Sequence, residues 1–280
     1  MQASSSSKQF SFTQKLTKCR QKNSSLLCVG LDPDLDRLPN CLKNAANPIL
    51  DFNKEIISAT KDLACAYKPN IAFYEAYGRL GLEALEKTLE LIPSDIPVIL
   101  DAKRGDIANT AQMYAKSCFE HYDVDAVTVS PYMGFDSIQP FARYEGKGVI
   151  ILVKTSNDSS SDLQDLKLTD GSNVYLTLCE LIKTWQEKVP AELCAVVGAT
   201  YPDDLKAVRE VLPDCPILLP GVGTQAGNNK LTVQYGRGDK AAPVIINSGR
   251  KILYASSDAN FAEAALETAI NLKEELNSYV

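Results

Sequence analysis

Eight short apolar runs recur along the whole chain, and each gap between two successive runs is long enough for a helix. Most of the runs are continuously hydrophobic and do not alternate, which is typical of parallel strands buried on both faces. Strands are therefore predicted at residues 25–32, 65–74, 97–104, 126–133, 148–155, 194–200, 216–223 and 243–250. Such a pattern indicates an α/β protein.

Helical patterns lie between these runs. In residues 172–188 the apolar positions mark one face of a helix, for which Ser172 is the predicted N-cap, and residues 258–276 are predicted to form the eighth helix. Eight βα units predict a single-domain (β/α)8 TIM barrel, with a doubly wound sheet as the main alternative. The segment GVGTQAG at 221–227 does not favour that alternative, because it lacks the G-x-G-x-x-G spacing and follows the seventh strand.

The composition is typical of a soluble globular protein and does not exclude binding of a small anionic ligand. The chain has 280 residues, of which 45% are hydrophobic and 23% charged. Residues 21–280 are predicted to form the barrel, and residues 1–20 a partly disordered N-terminal extension. The net charge of −6 argues against binding to nucleic acid or a membrane surface. No apolar run approaches the ~20 residues of a membrane helix, and the start MQASSSSKQF lacks an apolar signal core.

The cysteines and the one histidine limit the possible chemistry. A single histidine, His121, rules out a metal site built from several histidines, and its position near a helix end indicates a structural role. The cysteines form no C-x-x-C pair, so we expect buried, reduced thiols and a reducing, cytoplasmic location. They occupy positions 19, 28, 41, 65, 118, 179, 194 and 215.

Two connections are long and polar, namely 156–171 after the fifth strand and 224–241 after the seventh. Long polar loops in a compact domain are usually lids or binding loops. The second is predicted to be a lid, because its glycine-rich start can approach a ligand closely.

Polar side chains collect where the predicted strands end, which is where barrel enzymes place their chemistry. Asp101 and Lys103 lie two residues apart in a strand and share a face, although burying such a pair costs several kcal/mol per ion. Taken singly, each residue has an ordinary explanation such as a turn, a helix cap or a lysine at the rim. Together they indicate a site, and the glycines near Arg250 indicate an anion such as a phosphorylated small molecule. The strand-end residues are Asp32, Lys68, Asp101, Lys103, Lys154 to Ser156, Gln225 and Arg250.

Six motifs in order resemble the orotidine 5′-phosphate decarboxylase family, in its longer bacterial-type form. DAKRGDI resembles the family's D-x-K-x-x-D signature, and the likeness covers nearly the whole chain after residue 25. The resemblance implies decarboxylation of orotidine 5′-monophosphate to uridine 5′-monophosphate, the last step of UMP biosynthesis, without metal or cofactor. The motifs are GLDPD, YKPN, DAKRGDIANT, VKTSN, PGVGTQAG and NSGR, beginning at residues 30, 67, 101, 153, 220 and 247.

The resemblance also implies a role for each matched residue. Lys103 would protonate C6 of the pyrimidine, Asp101 would lie beside the departing carboxylate, and Lys68 between Asp101 and the ribose. Asp106, the fourth catalytic residue, and Thr110 would reach into the neighbouring subunit's site, which implies a homodimer. The remaining residues would bind substrate: Asp32 a ribose hydroxyl, Ser156 the pyrimidine edge, Gln225 and Arg250 the phosphate, with Ile107 and Gly249 beside them.

Three alternatives stay open. The first is a metal-dependent decarboxylase or aldolase acting on a sugar phosphate on the same barrel, which would need further carboxylates on the strand ends. The second is an aldolase that forms a Schiff base through Lys154, which would leave Lys103 and its acids unexplained. The third is a barrel that binds a phosphorylated ligand without turnover.

Overall fold

The barrel is built from eight strands within the residues that the computed structural model describes, 10–221, 229–239 and 242–280. Each strand overlaps one of the predicted apolar runs. The strands are β1 (Leu27–Leu31), β2 (Ala66–Pro69), β3 (Ile99–Arg104), β4 (Ala126–Val129), β5 (Gly148–Lys154), β6 (Glu192–Val197), β7 (Ile217–Pro220) and β8 (Val244–Ser248).

All of these strands run parallel, in the order β2-β1-β8-β7-β6-β5-β4-β3. The two outermost strands, β2 and β3, meet through bridges between Tyr67 and Val98 and between Asn70 and Asp101. The amide of Tyr67 also donates to the carbonyl of Pro97 at 2.9 Å. The sheet therefore curls into a nearly closed cylinder, and the predicted (β/α)8 barrel is confirmed.

Helices connect successive strands and cover the cylinder. The predicted helix at 172–188 is observed as α7 (Val174–Gln186), but its N-cap is Asn173, and the Ser172 hydroxyl donates to Asp170. The predicted polar loop at 224–241 contains a helix, α9 (Asn229–Arg237). The helices are α1 (Phe12–Asn23), α2 (Pro48–Thr60), α3 (Ala72–Glu75), α4 (Gly78–Leu91), α5 (Ala108–Lys116), α6 (Phe135–Ala142), α7 (Val174–Gln186), α8 (Pro202–Val211), α9 (Asn229–Arg237), α10 (Arg250–Leu253) and α11 (Phe261–Asn277).

The apolar core has two parts. The larger part lies between the strands and the surrounding helices. The smaller part fills the cylinder, with strand residues such as Ile99, Ile150 and Leu218 packed together. Because side chains alternate in a strand, the next inward positions toward the carboxyl ends are 101 on β3 and 68 on the adjacent strand β2. The apolar filling thus ends where the charged residues begin.

Helix α1 closes the amino-terminal end of the barrel. Its Phe12 and Leu16 belong to the core inside the cylinder, and Lys15 pairs with Asp125, next to the start of β4, at 2.7 Å. Ser11 caps the helix in a reciprocal box with Gln14. Residues 12–20, which were predicted to belong to the N-terminal extension, thus lie in a helix that packs into the core of the barrel. Residues 1–9 lie outside the described residues.

The other compositional predictions concern the cysteines, His121 and membrane helices. All eight cysteines are free thiols, and six of them are buried; Cys41 is exposed and Cys215 half-buried. His121 lies on the surface, where its Nε2 is 3.1 Å from Glu86. Across the described part of the chain, no helix combines the length and apolar character that spanning a membrane requires.

Truncation of the buried face of α1 tests whether this helix belongs to the barrel. Leu16 is fully buried, so we expect Leu16→Ala to lower the free energy of unfolding by about 3 kcal/mol, through lost burial and the cavity left behind. Urea titration measures this value. Gln21→Ala on the exposed face of the same helix is the control, expected to change it by less than about 0.5 kcal/mol. Equal small effects would show that α1 is not part of the cooperative fold.

Candidate active site

Three charged side chains meet at the carboxyl end of the barrel. The Asp101 carboxylate lies between two lysines, with Lys68 Nζ 2.8 Å from one oxygen and Lys103 Nζ 2.6 Å from the other. Lys68 and Asp101 are buried, whereas the side chain of Lys103 is half exposed. The sequence placed these three residues at strand ends, and the structure brings them together. We call them the Lys–Asp–Lys cluster.

Thr128 on β4 completes the cluster and was not predicted. Its hydroxyl donates to Asp101 at 2.9 Å and accepts from the backbone amides of Ala102 and Lys103, each at 3.0 Å. These bonds hold the end of β3, where Lys103 has a φ of 46° and the pairing with β4 shifts its register. A lysine in the left-handed region is strained, and such strain concentrates at functional sites. A threonine within an apolar strand carries no signal that would single it out.

The charges in the cluster determine one another's protonation. Burial alone would raise the pKa of Asp101, but Lys68 and Lys103 outweigh it and hold that pKa well below its ordinary value. Burial alone would lower the pKa of Lys68, but Asp101 and Asp32 outweigh it and raise that pKa. The buried carboxylate and the buried ammonium therefore both stay charged near neutral pH.

Asp32, just after β1, is half-buried beside the cluster, and its Oδ1 is buried with no hydrogen-bond partner among the residues that the structure describes. Burial raises the pKa of this carboxyl despite nearby Lys68. Within the same described part of the chain, Asn247 Oδ1 and Ser248 Oγ at the end of β8 are likewise buried without partners. Buried polar atoms usually have partners, so this group of atoms is suited to a polar ligand.

The end of β8 also approaches β1 closely. A Cβ added at Gly30 would lie 3.1 Å from the Cα of Gly249, and one added at Gly249 would lie 3.5 Å from Asp32 Oδ2. Gly249 thus leaves open the space next to Asp32, and Arg250, which follows it, is exposed at the start of α10. The predicted phosphate-binding residue Gln225 lies outside the described residues.

The residues predicted to act across a subunit boundary lie on the connection after β3 and in the first turn of α5. Asp106 is half-buried and accepts from the amide of Ile107 at 2.8 Å, while Ile107 and Thr110 are exposed. Ile107 is 54% exposed, and Tyr132, on the connection after the neighbouring strand β4, is 83% exposed. This side of the barrel mouth therefore presents large apolar side chains to the surroundings.

Lys154 and Ser156 at the end of β5 lie in different surroundings. The pairing of β5 with β6 slips between Leu152 and Lys154, so the strict alternation of the strand is broken there. Lys154 is buried and pairs with Asp165 at 2.5 Å, away from the Lys–Asp–Lys cluster, while Ser156 is exposed. Lys154 thus lies at the end of β5, as predicted, but the sequence did not anticipate the slip that gives it partners other than the Lys–Asp–Lys cluster.

These features define a class of protein: a barrel enzyme that acts on a small polar molecule with charged groups held at the carboxyl ends of its strands. In the ranges 10–221, 229–239 and 242–280, no three His, Cys, Asp or Glu side chains are grouped as metal ligands.

Comparison with known proteins identifies the family. The model of the orotidine 5′-phosphate decarboxylase / HUMPS family matches residues 25–265. The chain is 46% identical over 272 residues to orotidine 5′-phosphate decarboxylase of Ralstonia pickettii, covering 96% of this chain and 98% of that one. It is 49% identical over 259 residues to the protein of the same name from Herpetosiphon aurantiacus, covering 92% and 95%.

A solved structure agrees with this likeness. OMP decarboxylase of Leishmania donovani superposes with a TM-score of 0.83 at 38% identity, covering 96% of this chain and 99% of that one. The chain therefore belongs to the orotidine 5′-phosphate decarboxylase family, whose members so named are carboxy-lyases.

Removing the charge of Asp101 tests how the cluster is held. We expect Asp101→Asn to lower the free energy of unfolding by about 3 kcal/mol, because Lys68 stays buried without its main counter-charge. Since the folded-state pKa of Asp101 is lowered, this difference is fully present above about pH 4 and shrinks as the pH falls further. Urea unfolding of both proteins between pH 3 and 7 measures it.

Asp95→Asn is the matched control, because Asp95 also pairs with a lysine, Lys22, at 2.7 Å but both side chains are more than half exposed. It should change stability by less than about 1 kcal/mol. An Asp101→Asn variant no less stable than this control would contradict the expected dependence on the buried charge.

Proposed function

We propose that this chain converts orotidine 5′-monophosphate to uridine 5′-monophosphate and carbon dioxide, with no metal and no cofactor, as the last step of UMP biosynthesis. The observation that carries the proposal is the Lys–Asp–Lys cluster: two ammonium groups within 2.8 Å of one carboxylate at the mouth of the barrel. Family membership supplies the reaction and the cluster supplies its chemistry.

Loss of carbon dioxide leaves an electron pair on C6 of the pyrimidine, in an orbital that the ring does not delocalise. A fixed positive charge at that carbon stabilises the developing carbanion, and the same group then delivers a proton. In our proposal this group is Lys103. Its Nζ is held 2.6 Å from Asp101 and its side chain is half exposed, so a substrate can reach it.

Asp101 and Lys68 position Lys103 and balance the charge of the site before this step. Asp101, whose lowered pKa keeps it ionised, holds Lys103 in place and lies beside the substrate carboxylate. Lys68 is buried between Asp101 and the ribose, where it offsets the negative charge that Asp101 and Asp32 add. The positive charges are in place before the reaction and need little reorganisation during it.

Binding of the ribose and phosphate uses the ends of β1, β7 and β8. Asp32 accepts a hydrogen bond from a ribose hydroxyl at its buried Oδ1, which has no partner in the described part of the chain. Arg250 and Gln225 bind the phosphate, and Gly249 leaves the space that the ligand needs. Ser156 contacts the pyrimidine edge. Binding energy from the phosphate is available to lower the barrier at C6.

The enzyme in this proposal is a homodimer, with Asp106 and Thr110 completing the partner's site and Ile107 contacting substrate. The exposed apolar side chains near this connection support it: Ile107, Met113 and Tyr132 are 54%, 65% and 83% exposed in the single chain. A concentration of exposed, large apolar side chains like these is typical of a surface that a partner covers. The free state of all eight thiols supports a cytoplasmic location.

The first test measures decarboxylation of orotidine 5′-monophosphate by the purified protein, with and without EDTA. We expect turnover that EDTA leaves unchanged. In Lys103→Ala we expect kcat to fall by at least roughly a thousandfold, since the variant lacks both the stabilising charge and the proton donor. Lys87→Ala, which removes an exposed lysine paired with Glu83, is the control and should retain full activity.

Each outcome separates the alternatives. Activity lost to EDTA and restored by a divalent cation would favour a metal-dependent sugar-phosphate enzyme. Tight binding of the nucleotide without turnover would indicate a binding protein. Full activity in Lys103→Ala would contradict the assigned proton donor.

The second test uses the shared sites of the proposed dimer. Lys103→Ala and Asp106→Asn are each expected to be nearly inactive. A mixed dimer has one site with both changes and one site with neither, because Asp106 comes from the partner. Random re-association therefore restores activity to about a quarter of the wild-type value. Activity that stays at the level of the separate variants after subunit exchange would contradict a shared site.

A further inference from the structure

Lys154 is a buried, charged residue for which the proposed chemistry has no use. It is 1% exposed at the end of β5, and taking an ammonium group out of water costs several kcal/mol unless partners offset the loss. The slip in pairing between Leu152 and Lys154 turns it out of the alternation of the strand. A costly group in a dedicated setting calls for a role.

The partners of Lys154 come from the connection that follows it and from the next two helices. Its Nζ lies 2.5 Å from Asp165 and 3.9 Å from Asp204 at the start of α8. The rings of Tyr175 and Tyr201 each lie 5.5 Å from the ammonium group, and the Tyr175 hydroxyl donates to Asp204 at 3.2 Å. Lys154 thus ties the 155–173 connection to α7 and α8.

The next residue along the chain, Thr155, is tied to the same connection. Its amide donates to Gln164 Oε1 at 2.9 Å, and Gln164 Nε2 donates to its hydroxyl at 2.8 Å. Two neighbouring residues of the strand end are therefore joined to two neighbouring residues across the loop, 154 to 165 and 155 to 164. These two contacts close a loop, and Ser156 is its first residue past the closure.

Gly198, the residue directly after β6, supports Ser156 from the other side. A Cβ added at Gly198 would lie 2.9 Å from the Cβ of Ser156 and 3.0 Å from its amide nitrogen. The amide of Gly198 also donates to the carbonyl of Lys154 at 2.8 Å. Ser156 therefore lies against a strand end that has no side chain to displace it.

We propose that Lys154 is a positioning residue: through Asp165, together with the Gln164 contacts to Thr155, it fixes the loop that presents Ser156 to the pyrimidine edge. This inference rests on the proposed function, which gives Ser156 that contact. It assigns the buried lysine to substrate orientation and leaves the proton transfer to Lys103.

The test compares Lys154→Met with Gln164→Leu in steady-state decarboxylation of orotidine 5′-monophosphate. A loop that must be ordered by the substrate weakens apparent binding, so we expect KM to rise roughly tenfold with kcat changed less than about threefold. A merely less stable enzyme loses active protein, which lowers kcat and leaves KM unchanged. Lys183→Met is the matched control, since Lys183 on α7 pairs with Glu180 at 2.9 Å but is 52% exposed, and it should leave both constants unchanged.

Double variants with Ser156→Ala show whether the effect passes through Ser156. If it does, Lys154→Met raises KM less than about twofold when Ser156 is already alanine, because coupled residues are not additive. Equal increases in both backgrounds, or no effect of Ser156→Ala alone, would overturn the inference. Should Lys154→Met fail to fold, Gln164→Leu with the same double variant decides by the same criteria.

Wild-type turnover separates this inference from the proposed function. No decarboxylation by the wild-type protein overturns both. Decarboxylation that depends on Lys103, with KM unchanged in both Lys154→Met and Gln164→Leu, overturns the positioning role alone.

Discussion

The contact between the buried Asp101 carboxylate and its two lysines is the interaction around which the carboxyl end of the barrel is organised. Burial opposes the charge on both Asp101 and Lys68, and each stays charged because the other lies 2.8 Å away. Such a contact needs partners held to within a fraction of an ångström, since a carboxylate left alone there would lose its charge. Neighbouring barrel strands provide that precision: β2 carries Lys68, β3 carries Asp101 and Lys103, and β4 carries Thr128.

Stability and function occupy opposite ends of the same cylinder. The amino-terminal half is filled with apolar side chains and closed by Phe12 and Leu16 of α1, which contributes free energy of folding without constraining the chemistry. The carboxyl half contains the features that cost free energy: the positive φ of Lys103 and the partnerless buried oxygens of Asp32 and Asn247. The packed half therefore offsets the cost of a site that is complete only with a ligand.

Much of this organisation could be predicted from the sequence, for identifiable reasons. Continuous apolar runs indicated the strands, because such runs are typical of parallel strands that are buried on both faces. The charged residues at the ends of these runs, Lys68, Asp101 and Lys103, indicated the site, because barrel enzymes place their chemistry there. The role of Thr128 could not be predicted, since a threonine is ordinary in a strand. Helix α1 was missed because its apolar residues follow a polar, serine-rich start. The outward turn of Lys154 was missed because a register slip depends on the pairing with β6 and not on the local sequence.

Lys103 on β3 and Lys154 on β5 show how surroundings, and not residue type, decide what a lysine can do. A Schiff base requires an amine that loses its proton and meets a carbonyl. Lys154 is held by Asp165 at 2.5 Å and enclosed by Tyr175 and Tyr201, so it has no open space for a substrate. Lys103 also contacts a carboxylate, but its side chain is half exposed at the mouth. Of the two, Lys103 has the access that proton transfer to a bound substrate requires, and Lys154 has the rigidity that orienting a loop requires.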